Sequence, residues 1–210
     1  MNKTTPSPKG LFQRAEQIPP ALWADLRNRP PSQAAEAVGA TWDEKSFKVP
    51  LLGVQYTVDL ADQQIKMANN ADHPVSYQTG IVLLTTLSVS KGVPPSGRMT
   101  VPQDLPGGRM FFTGAHTVAN KPLADRFASA SDQLVNRALA MGGDMIEGAD
   151  IAIRLPGLPY VPLYILYWQA DQEIPARAVI GIDDRSYFHL DLASVFALTN
   201  ILVFEFCKVA

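Results

Sequence analysis

Residues 157–190 read GLPYVPLYILYWQADQEIPARAVIGIDDRSYFHL, and the reading of this stretch decides the fold. A greasy, aromatic run breaks at ADQEIP, resumes as AVIGI, and ends in two aspartates and a histidine. One reading gathers Asp171, Glu173, Asp183, Asp184 and His189 into a metal or acid–base site. The other makes them the polar punctuation of a β-hairpin and the start of a helix. In YVPLYILYW the residues Tyr160, Tyr164, Leu166 and Trp168 do not alternate with polar partners, so both faces of this strand are expected to be covered. Pro162 donates no ladder hydrogen bond and belongs at the strand's beginning or on an edge. ADQEIP is then the connection, with Asp171 and Glu173 in water. Asp183 or Asp184 is the expected cap of the following helix, where a carboxylate gains from the helix dipole. The hairpin reading is preferred.

Outward from the hairpin, ADIAIRLPG reads as the preceding strand, with Ile151 and Ile153 on one face. After it, HLDLASVFALTNILVFEF carries Leu192, Val195, Phe196, Thr199, Leu202, Val203 and Phe206 at helical spacing. Ala193, Ala197, Leu198 and Ile201 cover much of the rest, predicting a helix buried on most faces. Towards the N-terminus, ALWADLRNR and PSQAAEAVG read as two short helices, the second stopped by Gly39. Phe47, Val49, Leu51 and then Val54, Tyr56, Val58 alternate around Gly53, as two or three strands in meander order. The segment from Asn69 to Gly92 reads as a helix capped by Asp72 or His73, with Pro74 in its first turn and Gly92 as its stop. A Pro- and Gly-punctuated loop follows, with a short strand near residues 98–101. Leu123, Phe127, Leu134, Ala138 and Met141 form one helical stripe over residues 120–141.

Strands in two groups separated by helices predict an α+β fold: a mainly antiparallel sheet packed by helices, with a buried C-terminal helix. Residues 1–18 are expected to be a flexible tail and residues 19–210 a single domain.

The chain has 210 residues, a net charge of −2, 47% hydrophobic and 18% charged residues. No cluster of Lys or Arg supplies the basic patch that nucleic acid requires. No stretch has the roughly 20 apolar residues that span a bilayer, and the N-terminus lacks a signal-peptide core, so a cytoplasmic protein without membrane contact is expected. Cys207 is the only cysteine. It cannot make an intramolecular disulfide or by itself hold an iron–sulfur cluster, and it reads as a small buried residue near a helix end. No cofactor is expected from these residues; a hard-metal site of Asp183, Asp184 and His189 is the alternative to capping, and it needs further ligands from elsewhere. The three histidines form no His-x-x-x-His or Glu-x-x-His pair.

Ligand-contact candidates outside the hairpin are His116, in the glycine-containing loop FFTGAHTVAN, and Arg98 and Arg109, each directly after a glycine and able to hold an anion. Tyr164 and Trp168 join Asp171, Glu173, Asp183, Asp184 and His189 as candidates on the hairpin itself. No Gly-x-Ser-x-Gly, Walker or dinucleotide glycine motif occurs.

The order LLGVQYTV (51–58), SYQTGIVLLTTLSVSKGVPPSGRMTVPQDLPGG (76–108) and GLPYVPLYILYWQADQEIPARAVIGIDDRS (157–186), closed by an apolar helix, resembles the domain-of-unknown-function family numbered 3786 over roughly residues 20–206. Its strongest motif is P-x-x-P-L followed by D-x-E-x-P-A and a second strand. The resemblance implies an architecture and a setting in anaerobic bacteria and archaea, with no assigned catalytic residues. Some relatives resemble iron–sulfur proteins through an attached cysteine-rich segment, which this chain lacks. The function expected first is a non-catalytic small-molecule-binding or accessory protein of anaerobic redox metabolism, with a small molecule or a redox protein as partner. A structural subunit of a homo-oligomer comes next, and an enzyme using an Asp/Glu/His site last.

Overall fold

The structure, a computed structural model, describes residues 14–208. Helices α1 (Pro20–Arg27) and α2 (Pro31–Val38) each begin with proline at the first helical position, where its missing N–H costs nothing. Gly39 ends α2 in the left-handed region at φ 66°, and a Cβ there would meet Pro159 at 2.9 Å. The chain then builds the antiparallel sheet β1 (Thr41–Trp42), β2 (Ser46–Leu51), β3 (Val54–Asp59) and β4 (Gln64–Met67), in meander order. Phe47, Val49, Leu51 and Val58 turn their side chains to the core, as the alternation predicts.

Helix α3 (Tyr77–Val89) starts later and stops earlier than expected. Its cap is Ser76, whose hydroxyl accepts from the Thr79 N–H at 3.0 Å, and neither Asp72 nor His73 caps it. Pro74 lies ahead of the helix, and Gly92 serves instead in the turn after its end, at φ 66°. The guanidinium of Arg29 closes the far end, donating to Leu87 O at 3.0 Å and Ser90 O at 2.7 Å. Residues 14–18, assigned to the tail by the sequence, are packed: a 3-10 turn (Ala15–Gln17) buries Ala15 and Ile18 against α3. Gly80 makes room for it, since a Cβ there would fall 2.2 Å from Ile18 Cδ1. The rest of the expected tail, residues 1–13, lies outside the described residues.

The second sheet runs β5–β9–β8–β7–β6, antiparallel throughout: β5 (Met99–Thr100), β6 (Asp144–Ile146), β7 (Ile151–Leu158), β8 (Val161–Trp168) and β9 (Arg177–Asp183). One face is a continuous apolar layer. Ile153 faces Ile165, which faces Ile180, while Leu155, Leu163 and Ile182 make the next row. On the other face Tyr164 is buried beside Gly181, over which Met99 lies. Pro162 sits at the start of β8 next to the register shift at Leu155/Leu158, before pairing to β9 begins, so no ladder bond is lost.

Between the sheet strands run α4 (Gly108–Phe111), α5 (Asn120–Phe127) and α6 (Ser131–Ala140). The single stripe predicted over residues 120–141 is two helices. The chain bends at 128–130 because α5 packs on β9 and α7 while α6 packs on β7. Leu123, Phe127, Leu134 and Ala138 are nonetheless buried. Asn120 covers the open edge of β9, its Oδ1 accepting from the Ile180 N–H at 2.9 Å.

Helix α7 (Leu192–Cys207) ends the chain and packs along α3. Both helices are apolar nearly all round, which fits their central position. The cap of α7 is Asp191, accepting from the Ser194 N–H at 2.7 Å, in place of the expected Asp183 or Asp184. Its last carbonyls are held by Arg137, whose Nη1 reaches Phe206 O and Lys208 O at 2.8 Å. Cys207 is half-buried, and burial pushes its thiol up from the ordinary range. Among the described residues no helix is long and apolar enough to cross a membrane.

Candidate functional site

Of the residues singled out by the sequence, Asp183, Asp184, Arg98, Tyr164 and His189 gather where β9 leaves its sheet beside residues 90–98. Asp183 is fully buried. Its Oδ1 accepts from the Ser96 N–H at 3.0 Å and the Arg185 N–H at 3.0 Å; its Oδ2 accepts from the Gly97 N–H at 2.8 Å and the Ser96 hydroxyl at 3.2 Å. Ser96 Oγ has one proton, shared between Asp183 and the nearer Asp184, so three backbone N–H groups are what tie Asp183 into the loop. Asp184 accepts from the Ser96 hydroxyl at 2.5 Å and pairs with Arg98 at 2.7 Å. The Ser96 bond, then the charge of Arg98, holds its carboxyl below the usual range. Arg98 is thereby spent on Asp184, in an exposed pair worth little by itself. Tyr164 borders this region, its phenol pushed up by burial first and by the Asp183 charge second.

His189 is 1% exposed. Its Nε2 lies 2.9 Å from Val93 O, which can only accept, so that nitrogen carries a proton. Its Nδ1 lies 2.7 Å from the hydroxyl of Ser90, whose one proton is shared between that nitrogen and Ala37 O at 2.5 Å. The serine–histidine contact has the look of a nucleophile and its base, but Ser90 is buried and the second ring nitrogen meets a carbonyl instead of an orienting carboxylate. It works as a structural rivet between the ends of α2 and α3 and the exit of β9. Burial lowers the imidazole from its ordinary value, against the opposing pull of Val93 O and Asp183. The sign follows: a base disfavoured in its charged form by folding contributes full stability above the unfolded value near 6.5 and loses it as pH falls below that. Unfolding free energies taken at pH 7.5 and pH 5 should therefore drop more for the native chain than for His189→Gln, and equal drops would exclude a neutral buried His189.

The other candidates do not join this cluster. Asp171 and Glu173 are exposed at the tip of the β8–β9 hairpin. Asp171 Oδ1 accepts from the N–H groups of Glu173 at 2.8 Å and Ile174 at 2.7 Å, an Asx-type turn that holds its carboxyl below the usual range. Trp168, near this tip, carries the guanidinium of Arg177 over its ring at 4.1 Å. His116 is exposed, stacked on Phe111 at 4.5 Å and edge-on to Phe196 at 5.2 Å. Arg109 faces Asp104 at 3.4 Å in solvent. No group of three or more His, Cys, Asp or Glu side chains among the described residues could hold a metal ion, and Asp183, Asp184 and His189 do not converge as one.

A partly enclosed hollow lies elsewhere. A cleft of about 280 Å³ opens between β2–β3–β4, the segment leading into α3, and the last turns of α7. Its walls are apolar: Leu51, Val54, Met67, Val75, Ile201 and Phe204. Polar residues also line it: Tyr56 on β3, His73, Ser76, Gln78 and Thr79 at the entry to α3, and Glu205 and Lys208 at the end of α7. The phenol is pushed up to about 12, by burial first and the Glu205 charge second, so it stays protonated and able to donate. Glu205 also holds an ion pair with Lys208, and Arg137 fixes this helix end by donating to the Phe206 and Lys208 carbonyls. Sequence reasoning named neither Tyr56 nor Glu205 as a site residue. The available signal was Glu205 itself, the one charged side chain in the whole of α7.

The family described as Domain of unknown function (DUF3786) matches residues 30–205, and the chain belongs to it. No curated protein and no solved structure matches the chain.

Proposed function

Starting from a family whose description assigns no activity, we propose that this chain is a non-catalytic binding protein that takes a small, largely apolar molecule into the cleft between β2–β3–β4 and α7. The observation that carries this reading is a hollow walled by Leu51, Leu52, Val54, Met67, Val75, Ile201 and Phe204, with Tyr56 and Glu205 among the polar residues on its lining. Small-molecule sites are typically of this make-up, roughly 300–1,000 Å³ in volume with few polar groups that fix orientation. At about 280 Å³ the cleft stands at the small end of that range. The acid–base alternative is weakened because Asp171 and Glu173 are exposed while Asp183 is taken up by three backbone N–H donors.

The test is a fluorescence titration with N-phenyl-1-naphthylamine, a neutral probe that brightens in apolar surroundings. The native chain should bind it saturably at one site. Val54→Trp, which fills the cleft from β3, should weaken binding about ten-fold or more. Ile174→Ala, an exposed apolar residue at the hairpin tip, should leave it unchanged. Equal binding by Val54→Trp and the native chain would place the probe elsewhere and remove the reading.

A further inference from the structure

Resting on that reading of the cleft, we infer that its ligand presents a carbonyl oxygen to the Tyr56 phenol on an otherwise apolar body, and that Tyr56 sets this preference. Tyr56 stands on β3 in the lining of the cleft and is half-buried. Its hydroxyl makes no hydrogen bond among the described residues, and Glu205 reaches it through charge alone. Burial and that charge keep the phenol protonated. A phenol shares its oxygen lone pair with the ring, so it donates well and accepts poorly, and what it lacks here is an acceptor.

The other polar groups of the lining leave that need in place. Ser76 and Thr79 pair with each other at 2.8 Å, and Ser76 also accepts the Thr79 N–H. Glu205 and Lys208 pair across one turn of α7; the lysine keeps further N–H groups and the carboxylate keeps its Oε1. Lys208 and His73 are exposed, where hydrogen bonds compete with water and add little net affinity. Gln78 is half-buried like Tyr56, and its amide offers both donors and an acceptor. Donors therefore outnumber acceptors around the apolar walls, and the phenol is the half-buried donor carried on a stiff side chain from a sheet strand. A carbonyl oxygen is the acceptor this lining is short of, in a ketone, an ester, an amide or a carboxylate.

Ethylbenzene, acetophenone and benzoate have nearly one shape and differ in the acceptor they carry: none, a ketone oxygen and a carboxylate. Each is titrated against N-phenyl-1-naphthylamine bound to the full chain, native and Tyr56→Phe. Removing the phenol should weaken acetophenone about five-fold or more, the effect of one hydrogen bond lost in an apolar site, while ethylbenzene and the probe stay within about two-fold. Given that loss, benzoate weakened in step extends the preference to carboxylates, and benzoate unmoved confines it to neutral carbonyls. Gln78→Met should move acetophenone less than Tyr56→Phe does. Acetophenone left unmoved by Tyr56→Phe, acetophenone and ethylbenzene weakened alike, or a larger loss in Gln78→Met overturns the inference. Displacement by none of the three also overturns it, yet leaves the binding reading standing as long as the probe still binds and Val54→Trp weakens that binding. Absence of saturable probe binding by the native chain sinks both together.

Discussion

Asp183→Ala should destabilise the chain by about 3–5 kcal/mol, because it strands two or three backbone N–H donors that each cost about 1–3 kcal/mol when left without an acceptor. Those donors are the N–H groups of Ser96, Gly97 and Arg185, and the side chain that receives them is 0% exposed. Nothing else in the loop takes their place: Ser96 Oγ is occupied by Asp184 and by the Arg98 N–H. Asp183→Asn should recover only part of the loss. Its carbonyl oxygen keeps the two donors at Oδ1, but its NH₂ then faces the Gly97 N–H, donor against donor. Urea unfolding of the three proteins, compared at a common slope, reads this directly. An unfolding free energy for Asp183→Ala within about 0.5 kcal/mol of the native chain would mean that the loop finds other acceptors.

The second large effect is expected at the end of α7. Phe206 is fully buried and meets Phe127 of α5 edge-on at 6.3 Å. Phe206→Ala should cost about 3–5 kcal/mol, the usual range for removing a large core aromatic. For a chain of this size that corresponds to a Tm about 10 °C lower. Two residues back, Phe204 is 67% exposed and lies on the cleft wall. Phe204→Ala should change stability by less than about 0.5 kcal/mol while weakening binding of the naphthylamine probe. Comparable thermal shifts for the two variants would contradict the rotation of α7 on which the cleft depends.

The acidic residues of the hairpin illustrate a general difficulty in reading sites from sequence. Asp171, Asp183, Asp184 and Asp191 share a neighbourhood in the chain and a chemistry. In the fold they perform a turn, a loop anchor, a surface pair and a helix cap. Three of these jobs satisfy backbone N–H groups and the fourth, at Asp184, is a pairing with the side chains of Arg98 and Ser96; each needs one carboxylate at one place. A site needs several at the same place.

The sequence by itself determined the elements whose signal is local. Alternation in β2, β3 and β7, the proline starts of α1 and α2, the glycine stop at Gly39, and the all-round apolar α7 are written within windows of a few residues. The two groups of strands fixed the α+β class with its antiparallel pairing, and apolar residues on both faces of YVPLYILYW foretold a strand covered on both sides, while its central place in the sheet came from the structure. Tertiary structure alone decided which carboxylate capped α7, since Asp183, Asp184 and Asp191 are equivalent capping residues until the exit angle of β9 is known. It split the stripe of residues 120–141, because α5 and α6 find different partners. It also docked residues 14–18 against Gly80, a contact between segments more than sixty residues apart in the chain. The cleft is of the same kind: Tyr56 and Glu205 line one hollow only because packing brings β3 and the end of α7 to it, and no short window of sequence contains both. Local physics writes the elements; the burial of their apolar faces against one another chooses which polar side chains end up side by side.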